Sequence, residues 1–172
     1  MDTVLLHPKI VHLPITLAML MPIITIGLAI AVKRSWLPFR VWVLPILLQG
    51  TLLATGVAAM QSGERDEEIA GRVVPEQAIE THEEAAEFFL WVALVGLIFL
   101  FGPTLRRRDQ HTQPLAFALA AVATIAVLGA GYRVGEAGGE LVYVHGAANA
   151  YSTAATVEGA FQEPPDHDAD SD

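Results

Sequence analysis

Four of the six histidines in this chain sit at the edges of long apolar stretches, and the chain has no cysteine. His7 and His12 precede or open the first stretch, His82 opens the third, and His145 follows the fourth within GGELVYVHGAANAYS. The absence of thiols excludes disulfides, thiolate zinc sites, iron–sulfur clusters and covalent haem attachment. A metal or cofactor would have to be held by histidine, carboxylate, methionine or tyrosine. A neutral imidazole offers one lone-pair nitrogen, and two imidazoles facing each other at one level of a helix bundle can ligate a haem iron axially. The same pair suits copper or zinc.

Depth makes such a pairing feasible. At about 1.5 Å rise per residue, His12 lies roughly 6 Å into a helix that starts at Pro8, and His82 lies about two turns into one that starts at Pro75. His12 and His82 are the favoured core ligands of a b-type haem, with His7 and His145 as a second pair or an outer shell. Arg133 is the candidate cation for haem propionates, with Arg72 as a second. For a bare copper, zinc or iron ion, His7, His12, His82 and His145 would form one centre with Glu83 or Glu87. Small residues near this level (Ala54, Gly56, Ala58, Ala59, Ala85, Ala86, Gly129, Ala130 and Gly131) could let a porphyrin approach the backbone, although small residues also simply pack membrane helices.

Each residue also has a bland reading. His7 can cap a helix, His12 and His82 can be interfacial side chains, His145 can sit in a turn, and Arg133 can snorkel beside Glu136. His111 and His167 read as solvated surface residues. Against these stands the cost of ionisable groups near hydrocarbon, and the convergence of four histidines from separate segments on one face.

The elements that must position them are membrane spans. Hydrophobic residues make up 53% of the 172-residue chain and charged residues 17%, against roughly 25% charged in soluble domains. The apolar residues arrive in four blocks, each near the roughly 20 residues a spanning helix needs. They predict spans over about 8–32, 38–60, 75–101 and 114–132, with Pro8, Pro38, Pro75 and Pro114 in first turns, where proline is tolerated. The first span carries Pro14 and Pro22 internally. In the third, ETHEEAAE reads as a helical extension emerging from the bilayer, the alternative being three spans plus a surface helix. Gln49, inside the second span, needs a partner within the bundle.

Lys33, Arg34 and Arg40 lie in one loop and Arg106, Arg107 and Arg108 in another on the same side, which the positive-inside rule makes cytoplasmic. Both termini then face outward, as does the acidic loop 61–74. Trp36 and Trp42 are expected at the inner interface, and Tyr132, Tyr143 and Tyr151 near the outer one. Asp2 and the missing basic n-region make the first segment a retained helix rather than a cleaved signal. The fold expected is therefore an all-α integral membrane four-helix bundle of the plasma membrane over 1–157, with both termini on the outer side. Residues 133–157 form an outer-face segment and 158–172 an acidic disordered tail.

The stretches HPKIVHLPITLAML, VVPEQAIETHEEAAEFFL and GGELVYVHGAANA resemble a bacterial and archaeal family of small four-helix membrane proteins, domain of unknown function 2231, over about Leu5 to Ala150. The resemblance carries over to His7, Pro8, His12, Pro14, His82, Gly138, Gly139, Tyr143, His145 and Gly146. Members of that family occur joined to or beside cytochrome c and Rieske-type domains, which implies redox work at the outer face. The leading expectation is a b-type haem electron-transfer protein, with a quinone as a further reactant. The alternatives are a histidine-based copper, zinc or iron binder and a structural subunit of a membrane complex. No nucleotide loop, nucleophilic triad or hydrolytic carboxylate pair supports a stand-alone enzyme, and nothing points to nucleic acid.

Overall fold

The computed structural model describes residues 6–106 and 111–149. Among them the structure is all-helical: α1 (Leu6–Ile10), α2 (His12–Lys33), a 3-10 turn (Phe39–Trp42), α3 (Val43–Ala70), α4 (Glu76–Leu105) and α5 (Gln113–Tyr143). Four of these helical stretches, His12–Lys33, Phe39–Glu64, Glu76–Leu105 and Gln113–Tyr143, are long and apolar enough to cross a membrane. Their outward surfaces carry Ile23, Trp91 and Ile98, each more than 60% exposed, apolar surface that lipid covers and water would not tolerate.

Proline sets the breaks. Pro14 lacks an N–H and its ring crowds the carbonyl four residues back, which belongs to Ile10, the last residue of α1. Val11, between the short helix and α2, keeps right-handed helical φ and ψ (−61° and −24°), and its N–H bonds the His7 carbonyl at 3.1 Å, so α1 runs into α2 through a local irregularity. Pro75 stands as N-cap of α4 and Pro114 in the first turn of α5. The polar ETHEEAAE stretch is continuous with the apolar part of α4. Helix α5, expected to end near residue 132, continues to Tyr143, so the first part of the expected outer-face segment is helical. The tail 158–172, with His167, lies outside the described residues, as do Arg107, Arg108 and Tyr151.

Helices α3 and α5 each pack against both α2 and α4, giving an up-down-up-down bundle, while α1 folds onto the far end of α3. The inward residues of α3 are Trp42 (at the end of the 3-10 turn), Pro45, Gln49, Leu52, Gly56, Ala59 and Ser62, and those of α4 are Phe89, Ala93, Gly96, Leu100 and Pro103. This alternation of three and four is the spacing of left-handed bundle packing.

It stacks the interior in layers seven residues apart. In one, the Phe89 ring lies between Gly56 and Gly131, beside Ala18: a Cβ on Gly131 would stand 3.3 Å from Phe89 Cε2 and 3.4 Å from the Ala18 Cβ. Seven residues toward the basic end come Thr25, Gln49, Gly96 and Thr124, where Gln49 Nε2 lies 3.4 Å from a Cβ built on Gly96. Seven further come Val32, Trp42, Pro103 and Phe117. Trp42, expected at the inner interface, stands in the layer nearest the basic end and turns into the bundle there, 1% exposed: its Nε1–H donates to the Leu100 carbonyl (2.9 Å) and its ring meets Phe117 edge-on at 4.7 Å. Anchoring its indole N–H on a carbonyl makes that burial affordable. Trp36 alone of the pair is exposed, with the Arg34 guanidinium 5.4 Å from its ring.

Within lipid no hydrophobic force drives helices together, so close contact at small residues must. Gly96→Ala would bring a Cβ to 3.0 Å from Val127 Cγ2, an overpacking expected to cost about 1–3 kcal/mol. Gly129→Ala has no neighbour within 4 Å and is expected to be neutral or to stabilise by up to about 1 kcal/mol. Unfolding of the two variants in detergent, followed by circular dichroism, checks the contrast.

Candidate functional site

One more heptad away from the basic end, the layer built on Val11, Gly63, His82 and Gly138 closes the bundle. Three heptads separate it from the Trp42 layer, about 32 Å at 1.5 Å per residue, close to the roughly 30 Å hydrocarbon thickness. The histidine layer therefore lies at a membrane–water interface.

His7 reaches this layer from α1, one turn above Val11, whose N–H bonds back to the His7 carbonyl (3.1 Å). Its Nδ1–H donates to the Ala59 carbonyl at 2.8 Å and lies 3.1 Å from Ser62 Oγ. The Ser62 hydroxyl donates to the same carbonyl at 2.8 Å. The ring rests on Gly63, where a Cβ would stand 3.2 Å from Cε1. Because a carbonyl can only accept, Nδ1 carries the proton and Nε2 holds the lone pair.

His82 projects from α4 onto Gly138 of α5, where a Cβ would stand 3.1 Å from its Cε1. The Val134 backbone and His7 are both near enough to act on the ring of His82. His82 Nδ1 is buried and finds no hydrogen-bond partner. The His7 imidazole is thus held by a main-chain carbonyl, an arrangement that orients a ligating histidine and fixes its tautomer.

The other candidates are placed differently. His12 is exposed at the first turn of α2, its carbonyl accepting from Thr16 Oγ1 at 2.7 Å. His145 is half-buried past the end of α5, with Nε2 3.8 Å from Glu140 Oε1. Arg133 is exposed, its guanidinium 5.7 Å from the Phe88 ring, and Arg72 is exposed in the turn before α4. Glu84 and Glu87 are exposed and Glu83 is half-buried. Among the described residues no three histidine, aspartate or glutamate side chains converge as a metal-binding group.

Phe89 and Leu90 occupy the gaps at Gly56 and Gly131, while Ala54, Ala58 and Gly129 are exposed on the outside of the bundle. The residues missed by reading the sequence are Ser62 and Gly63, together with the carbonyls of Ala59 and Val134. The heptad linking Gly56 to Gly63 and Gly131 to Gly138 was the available signal.

The fold defines an all-helical membrane protein with four candidate spans. The chain belongs to the family described as predicted membrane protein DUF2231, whose family model matches residues 4–151. No curated protein and no solved structure matches it.

The His7 geometry predicts the Nδ1–H tautomer in metal-free protein. Nitrogen-15 NMR of labelled histidine should place the proton there, and Ser62→Ala should leave it there because the Ala59 carbonyl remains. An Nε2–H tautomer for His7 would contradict the geometry.

Proposed function

We propose that the protein binds a transition-metal cation at its outer end through the His7 and His82 imidazoles. The observation that carries this is the buried, unpartnered Nδ1 of His82 beside a second imidazole whose proton is committed to a carbonyl. Burying a polar atom without a partner is costly, and a metal ion is a partner that lone-pair nitrogens on two elements can share. Imidazole suits copper, zinc and iron. The charge around the site favours a cation: Glu64, Glu76, Glu80, Glu83, Glu84, Glu87, Glu136 and Glu140 belong to this end of α3, α4 and α5, and such a field draws positive ions. Two protein ligands leave coordination positions open, as in exchangeable rather than closed structural sites.

A b-type haem passing electrons to an outer-face cytochrome c or Rieske-type partner, or to a quinone, is the second reading. It is favoured by imidazoles that reach one level from separate helices. Phe89 and Leu90 would have to yield to a porphyrin below that level, which is why the bare ion comes first.

Metal analysis of protein loaded with copper or zinc in detergent separates these readings. One ion per chain is expected, with affinity falling at least tenfold in His7→Ala or His82→Ala and little changed in His12→Ala. A reduced b-type spectrum lost in His82→Ala would establish haem instead, and full metal binding in both His7→Ala and His82→Ala would sink the site.

The same proposal places the histidine end outside the plasma membrane, with both termini outward, because Lys33, Arg34, Arg40 and Arg106 gather at the opposite end. The native chain has no cysteine, so single-cysteine labelling is clean. Thr81→Cys should react with an impermeant maleimide from outside intact cells and His111→Cys only after permeabilisation; the reverse pattern would invert the topology.

A further inference from the structure

The layer of Thr25, Gln49, Gly96 and Thr124 lies two heptads below the histidines and one above Trp42, about 10 Å from the latter, well inside the hydrocarbon. Its three polar side chains are 0% exposed. Gln49 Nε2 donates to the Ala93 carbonyl at 2.9 Å, which fixes the amide orientation and turns Oε1 away as an acceptor with no protein partner. Thr25 Oγ1 likewise has none.

Thr25 stands out against its own kind. Thr16, Thr51, Thr55, Thr81 and Thr124 each return the hydroxyl to a carbonyl three or four residues back, at 2.7–3.0 Å, the usual way a helical threonine satisfies itself. Thr25 forgoes that bond. Close by along α2, Pro22 has no N–H to offer the Ala18 carbonyl, which adds another acceptor to this stretch of buried helix face.

We infer that this layer holds one internal water molecule, accepting from the Thr25 hydroxyl and donating to Gln49 Oε1 and to the Ala18 carbonyl. One protein donor and two protein acceptors match the lone pair and two O–H groups of a single water, and buried waters typically make about three hydrogen bonds to groups that otherwise lack partners. In hydrocarbon there is no bulk water to relieve an unpaired amide oxygen, so the molecule is part of the structure. It is sealed on the histidine side by Phe89, lodged between Gly56 and Gly131, and on the basic side by Trp42 and Phe117. It pins α2 to α3 at the one layer where neither polar side chain can serve the purpose alone, and it needs no occupant at the histidine end.

The full chain in lipid vesicles, studied by infrared difference spectroscopy after exchange into oxygen-18 water, tests this. A water O–H stretch that shifts with the isotope is expected, lost in Thr25→Val and in Gln49→Leu but kept in Thr25→Ser. Thr25→Val, which preserves shape, should also lower the melting temperature by a few degrees. Absence of the isotope-sensitive band in folded wild-type protein would overturn the inference, pointing to a direct Thr25–Gln49 contact if Thr25→Val still melts lower. A Thr25→Val variant that melts higher would also overturn it, since removing a truly orphaned hydroxyl is stabilising.

Discussion

The ring of Phe89 held between Gly56 and Gly131 sets the register of three helices at once. A hydrophobic residue gains nothing by leaving lipid for a protein interior, so the bundle depends on shape: rings and amides seated where a facing helix has no side chain. Because the interior repeats every seven residues, fixing one layer fixes the others. With Phe89 in place, His82 falls on Gly138 and Gln49 on Gly96. A slip of one position along α4 would dislodge all three together, and the imidazole pair would be lost with them.

The bundle is polarised from end to end. At the basic end Trp42 donates to Leu100 inside the bundle, and Arg34 covers Trp36 outside it. At the acidic end, α4 and α5 are longer than the bilayer requires, and the excess carries His82, Val134 and Gly138 to the interface. Helix α1, lying against α3, supplies the second imidazole. The Ala59 carbonyl orients the His7 ring, and Gly138 gives the His82 ring its seat. A cation arriving from the acidic side would meet two nitrogens already positioned, at little further cost in side-chain entropy.

Much of this was legible in the sequence. Four apolar blocks, prolines at their first turns and histidines gathered at one end all correspond to features of the structure. A tryptophan beside a basic loop reads as an interfacial anchor, and nothing local reveals that Trp42 turns inward to the Leu100 carbonyl that satisfies it. Depth along the first helix favours His12 over His7; what the sequence does not reveal is the Ala59 carbonyl that holds His7 against α3. The layers themselves were hidden because lipid-facing residues such as Ile23 and Ile98 are as apolar as Met21 and Leu100 inside, so no contrast marks the inner face. Only the polar and small members, Thr25, Gln49, Gly56, Gly63, Gly131 and Gly138, betray the sevenfold spacing.

Joint binding of one metal ion by His7 and His82 is directly measurable. Electron spin-echo spectroscopy of the protein loaded with one equivalent of copper(II) counts the imidazole nitrogens coupled to the ion. Two are predicted for the wild type and one in either His7→Ala or His82→Ala. A nitrogen count unchanged in both variants would place the metal elsewhere and contradict the account.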